Sequence, residues 1–194
     1  GGWRSIQIRA KARMCASREV ICHEDVCDFA RDYSVKLNQR AVLPTLLTGA
    51  WHVDPDTVFS HASAAEVCPF ETELELLRHC TAVVGDYNYV FDPTIALAGL
   101  ADEDSLEDTF VVIDEAHNLV DRAREYFSPR LGRRAVAAAR DHLAGHRQRV
   151  CRELATVLKE LDEVIGSEVG RALGRREGVA RTEIPVDALL PLLM

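Results

Sequence analysis

No run of about 18 apolar residues occurs in the chain, which excludes a membrane-spanning helix. The opening Gly1-Gly2-Trp3-Arg4 lacks the charged-then-apolar layout of an export signal. These two absences lead to the expectation of a cytoplasmic protein with no membrane partner. No Gly-Lys pair occurs anywhere, so the G-x-x-x-x-G-K-S/T loop that cradles nucleotide phosphates is missing. The paired C-x-x-C of a zinc ribbon is missing too. Lysine is scarce, with only Lys11, Lys36 and Lys159, so arginine richness by itself carries little weight.

What is present is the composition of a soluble globular protein: 47% apolar and 28% charged residues over 194 positions. That length holds one large domain or two small ones. A net charge of −8 argues against a sleeve for polyanions. The charge is uneven, however. Arg4, Arg9, Lys11, Arg13 and Arg18 crowd the first eighteen positions, while acids dominate from Asp54 to Asp108.

Six cysteines without an export signal read as metal ligands or buried thiols before disulfides. Cys15, Cys22 and Cys27 fall within thirteen positions, and Cys68 follows forty residues later in Val67-Cys68-Pro69-Phe70. Four thiolates suit zinc and an iron–sulfur cluster alike, so spacing alone does not name the metal. His23 adjoins Cys22 and reads as a surface histidine. Cys80 and Cys151 read as core thiols.

Val111-Val112-Ile113 reads as a short buried strand ending in Asp114-Glu115-Ala116-His117. A carboxylate pair at the end of a strand can hold Mg²⁺ on nucleotide phosphates and polarise an attacking water. The alternative is a strand followed by a helix whose N-terminus the acids complement.

Residues 5–14 read as an extended lead-in that brings arginines up to Cys15. Phosphate contact and a solvated basic face fit it equally. Val26, Phe29, Ala30 and Tyr33 keep helical spacing, and 44–57, with Pro44, Gly49 and Pro55, read as a loop. Asp56 or Ser60 would cap a short helix before Cys68. The segment between Cys27 and Cys68 is too small and too polar to hold itself together by apolar burial alone, so a metal would help it. A helix follows from Pro69 with Phe70, Leu74 and Leu77 on one face, then a buried strand Ala82-Val83-Val84. Tyr87 and Asn88 in the next turn would stack on a base or hold a phosphate, or else pack as a capped turn. Residues 101–108 form an acidic loop, and Leu119 to Phe127 a short helix. One long helix is expected from 134 to 165, its seam Val150, Leu154, Val157, Leu161 and Val164 wanting one partner.

The cysteines at 15, 22, 27 and 68, the Cys68-Pro69-Phe70-Glu71 segment, the Asp86-to-Pro93 stretch and Ile113-to-Leu119 stand in one order that resembles the XPD/DinG-type iron–sulfur superfamily-two DNA helicases, most closely the bacterial ones. The resemblance spans about 5–127. Beyond 128 it is only architectural, a helical insertion like the family's arch. It implies an α/β, mostly helical fold: part of a P-loop-type motor domain with an inserted 4Fe–4S domain and an arch segment. The corresponding boundaries are 1–14 for the lead-in, 15–68 for the cluster domain, 69–127 for the motor segment with its DEAH box and 128–194 for the arch-like segment.

The same resemblance implies a 4Fe–4S cluster on Cys15, Cys22, Cys27 and Cys68, with zinc as the alternative metal. It implies Mg-ATP bound by Asp114, Glu115 and His117, with Asp114 on the Mg²⁺ and Glu115 as catalytic base. Arg9, Lys11, Arg13, Tyr87 and Asn88 would contact single-stranded or forked DNA, and translocation would run 5′ to 3′ in repair or replication. Without the phosphate loop and the second motor domain, the expectation is an internal segment, inactive alone, that works with the remainder of a nucleoid-associated helicase. The competing readings are a non-enzymatic, metal-stabilised nucleic-acid-binding module and a zinc-stapled protein-interaction domain.

Overall fold

Three short strands, β1 (Ser5–Gln7), β2 (His52–Val53) and β3 (Ala82–Val84), make a parallel sheet in the order β2-β1-β3 in a computed structural model. The structure describes residues 2–95, 109–128 and 130–173, which fall in two compact units, Gly1–Ser128 and Pro129–Met194. Ile6 of the central strand is wholly buried and pairs with Val53 on one side and Val83 on the other. The chain passes close to itself beyond β3. A Cβ on Gly85 would stand 2.6 Å from Ile8 Cγ1, so only glycine fits there.

The helices of this unit are α1 (Lys11–Met14), α2 (Tyr33–Gln39), α3 (Val42–Leu47), α4 (Pro55–Ala64), α5 (Pro69–Leu77), α6 (Asn88–Phe91) and α7 (Leu119–Tyr126). Leu37, Val42, Leu46, Val58 and Val67 join Ile6, Met14, Phe70 and Leu76 in one core. Apolar burial thus runs through the stretch between Cys27 and Cys68. Arg4 fastens the start of β1 by donating to the carbonyls of Leu47 at 3.0 Å, Ala50 at 3.1 Å and His79 at 3.3 Å.

Several expectations are corrected. Residues 44–57 are not a loop, because Pro44 falls in the first turn of α3, where its missing N–H costs nothing. The cap of α4 is Asp54, not Asp56 or Ser60. Its carboxylate accepts from Thr57 N–H at 2.9 Å, and Pro55 occupies the first helical position. Helix α5 begins at Pro69 as expected, but its buried face runs through Phe70, Glu73 and Leu76, with Leu74 and Leu77 only half-buried. β3 is a strand but not a buried one, since Val83 and Val84 are largely exposed.

The largest correction concerns Val111-Val112-Ile113, which forms no strand. Val112 is 95% exposed and Phe110 98%. A strand buried on both faces needs neighbours on both edges and covering helices, and no described strand pairs with this segment.

In the second unit the expected single helix is two, α8 (Arg133–Ala144) and α9 (Arg149–Leu173), packed on one another. The chain turns after Ala144 at Gly145. Helix α8 is therefore the partner that the α9 seam wanted. The buried positions of α9 are Cys151 and Ala155, while Leu154 is exposed. Arg133 closes the pair with two bonds to Asp162, at 2.7 and 3.1 Å. No helix of the described residues is long and apolar enough to cross a membrane. The acidic stretch 101–108 and the tail beyond 173 lie outside the described residues.

Candidate functional site

Cys15 stands at the end of α1, Cys68 caps α5, and Cys22 and Cys27 belong to the turns between α1 and α2. These places, up to 53 residues apart in sequence, line one cavity of about 280 Å³. Ile21, Phe29, Ala30, Pro69 and Phe70 give it apolar walls. All four cysteines are free thiols. Among the described residues no three of their sulfurs lie within 4.8 Å of one another. His23 is exposed and is not part of the lining.

Burial and the surrounding backbone N–H groups act on the Cys68 sulfur in opposite senses, and burial wins. Burial pushes the Cys68 thiol up, but the backbone N–H groups of Phe70 and Glu71, at the positive end of α5, oppose that shift. Lys11 stands over the Phe70 ring, 5.1 Å from its centroid, with Glu71 3.7 Å away. Burial draws the Lys11 ammonium down, yet Cys22, Glu71 and Cys68 outweigh it, and the net shift is upward. Lys11, expected as a DNA contact, is in this structure the cation at the cysteine wall. The donor set fits a soft, thiolate-bound metal or cluster.

The other basic residues of the lead-in differ in what they touch. Arg9 pairs with Asp56 at 2.5 Å, which raises its basicity further. Arg13 is exposed on α1. Tyr87 and Asn88 face α7 within the same unit. The Asn88 side-chain amide oxygen Oδ1 accepts from the Tyr126 hydroxyl, and the Arg122 guanidinium donates to Tyr87.

Asp114, Glu115 and His117 lie together on an open surface. Asp114 Oδ1 accepts from the Glu115 N–H at 2.9 Å, and Glu115 stands 3.1 Å from His117 Nδ1. Glu115 has φ 51°, a left-handed conformation that costs a residue with a Cβ roughly 1–2 kcal/mol. A 3₁₀ turn, Ala116–Asn118, then leads into α7. Both carboxylates are exposed, and among the described residues no phosphate loop stands beside them.

Sequence reasoning missed two residues. Tyr33 lines the cavity and its hydroxyl lies 3.4 Å from Thr72 Oγ1; burial pushes its phenol up. Glu73 is wholly buried on α5. Its signal was legible, since it lies three residues after Phe70 and three before Leu76, in the middle of the apolar stripe.

One compact unit, with a small parallel sheet, thus carries both the four-cysteine cavity and the exposed Asp114–His117 surface. The DEAD_2 family model matches residues 4–136, and the chain belongs to that family, the XPD/DinG-like superfamily-two helicases. It is 34% identical over 94 residues to the Fanconi anemia group J protein homolog of Gallus gallus, covering 48% of this chain and 7% of that protein. It is 27% identical over 132 residues to the general transcription and DNA repair factor IIH helicase subunit XPD of Arabidopsis thaliana, covering 68% and 16%. The regulator of telomere elongation helicase 1 homolog of Drosophila melanogaster is 28% identical over 129 residues, covering 66% and 12%. The chain thus matches under a fifth of the length of each of these relatives.

Proposed function

We propose that this chain is the cluster-bearing and acidic-box segment of an ATP-dependent helicase that moves 5′ to 3′ on single-stranded or forked DNA in repair or replication. Cys15, Cys22, Cys27 and Cys68 would hold a 4Fe–4S cluster. The observation that carries this is the gathering of those four thiols around one cavity. Four thiolates suit an iron–sulfur cluster and zinc alike, so zinc is the alternative metal.

On this reading 1–14 and 69–127 belong to the motor domain, 15–68 to the cluster domain and 128–194 to the arch. Asp114 would carry the Mg²⁺ of Mg-ATP, Glu115 would activate water and His117 would complete the nucleotide edge. The phosphate loop must come from elsewhere in a helicase chain. Arg9, Lys11 and Arg13 would supply the charge that holds a DNA strand near the cysteines, with Tyr87 and Asn88 as further DNA contacts. Lys11 has the added duty of facing the thiolates.

Iron, acid-labile sulfide and zinc content of protein purified without oxygen tests the assignment. About four irons and four sulfides per chain, absent from Cys68→Ser, would support it. One zinc without sulfide would refute the cluster and favour a zinc-stabilised binding module.

A further inference from the structure

The peptide of Arg9 is the joint where β1 leaves the sheet and the chain turns toward Cys15. Ile8 N–H still donates to Val84 of β3 at 2.9 Å, as the last bond of the sheet on this side. One residue later both polar groups of Arg9 are taken by side chains. Its N–H donates to Glu73 Oε2 of α5 at 3.3 Å, and its carbonyl accepts from the Tyr89 hydroxyl of α6 at 3.1 Å. Glu73 is 0% exposed and Tyr89 7%, so both bonds are shielded from water.

A buried backbone group in a turn is met by another backbone group, a side chain or water. Here two helices each commit a buried side chain to the backbone of one residue, one to its N–H and one to its carbonyl. The commitment is costly for Glu73, whose second oxygen, Oε1, is buried without a hydrogen-bond partner. A glutamate kept on an apolar helix face at that cost is held there by what its other oxygen does.

We propose that Glu73 and Tyr89 are positioning residues that grip both sides of the Arg9 peptide, and so set where α1 begins and where Lys11 and Cys15 stand on the cysteine cavity. The reach is short and stiff. Ala10 is the cap of α1, Met14 at its end is wholly buried, and Cys15 follows immediately. Helix α5, which carries Glu73, is preceded by Cys68 as its cap residue. One carboxyl therefore ties the first cysteine's approach to the helix of the last. The grip itself stands whether or not the thiols bind metal; its consequence for metal uptake rests on the cysteine reading above.

A pH profile separates this grip from plain packing. The groups facing Glu73 are Arg9 from the β1–α1 link and Tyr89 from α6, while Asp56 and Asp54 act on Arg9. Burial, opposed by the Arg9 N–H and the Arg9 charge, pushes the Glu73 carboxyl up to about 7. A raised carboxyl binds its proton more tightly folded than unfolded. Its contribution is full below the ordinary glutamate range and is lost as pH rises through about 7.

The test is the melting temperature of the full 194-residue chain in metal-free buffer between pH 5.5 and 8, with exchange of the Arg9 amide. Wild type should fall by roughly 5 °C over that range, and Glu73→Gln, which keeps the acceptor without the charge, should be flat. Arg9 amide exchange should stay slow in Glu73→Gln and rise at least tenfold in Tyr89→Phe. Parallel pH profiles for wild type and Glu73→Gln, or unchanged exchange in Tyr89→Phe, would overturn the proposal. Metal uptake reads the consequence separately. A drop in Tyr89→Phe with all thiols titratable supports the link to the cavity, and wild-type uptake breaks that link alone.

Discussion

The cysteine cavity and the acidic box are both described within one unit, yet they are built in opposite ways. The cavity is walled by α5, the α1 end and the turns before α2, and the core beneath it includes Met14, Val67 and Phe70. The acidic box sits on an extended segment with Phe110 and Val112 almost fully exposed. The lesson is that the described residues contain their own frame for the thiols but not for the acidic box. A strand of β-branched residues supplies propensity; only neighbouring strands convert that propensity into position.

The sharpest way to break this comparison is at Cys68. Cys68→Ser should lose all bound metal, whereas Cys80→Ser and Cys151→Ser should keep wild-type metal content by elemental analysis. Equal loss from Cys80→Ser would show that a thiol outside the cavity serves as a ligand. Next in size comes packing. Met14→Ala should cost about 2–5 kcal/mol by denaturant titration, while Val112→Ala, on the exposed segment, should stay within about 0.5 kcal/mol. Similar costs for the two would mean that the acidic-box segment is framed after all.

A smaller effect is expected at the basic rim. Arg13→Ala should weaken single-stranded DNA binding uniformly across sequences and reduce the salt slope by about 1 in fluorescence anisotropy. A salt-independent wild type would remove the lead-in from the DNA path. The smallest concerns the acidic box itself. Asp114→Asn and Glu115→Gln should each shift stability by less than about 0.5 kcal/mol, and the 194-residue chain should turn over no ATP with or without them. Steady turnover unaffected by Glu115→Gln would sink the nucleotide assignment.

Much of the local structure was legible. Pro69 with Phe70 beyond Cys68 announced α5, and Leu119 announced α7, because periodicity and helix-start chemistry act over a few residues. Cys151 was rightly read as a core thiol from its place on a helix. The 44–57 stretch misled because two prolines and a glycine were read as breaks, when proline in a first turn starts a helix as readily as it ends one. The seam Val150-Leu154-Val157 misled by one step, because α8 meets α9 at Cys151 and Ala155 instead. Glu73 was passed over because a glutamate among Glu71 and Glu75 looks like a solvated face.

The sequence by itself determined the family, through four cysteines and an acidic box in a fixed order, and it determined the start of some helices, α5 and α7 among them. Both signals are written in spacing, which needs no partner to be read. Only the tertiary structure decided that the four thiols share one cavity, that Lys11 faces them, that Glu73 and Tyr89 hold the Arg9 peptide, and that the valines before Asp114 lie open. Each of those depends on which distant residues stand opposite. Burial and pairing across dozens of positions are properties of the folded core, and no local pattern encodes them.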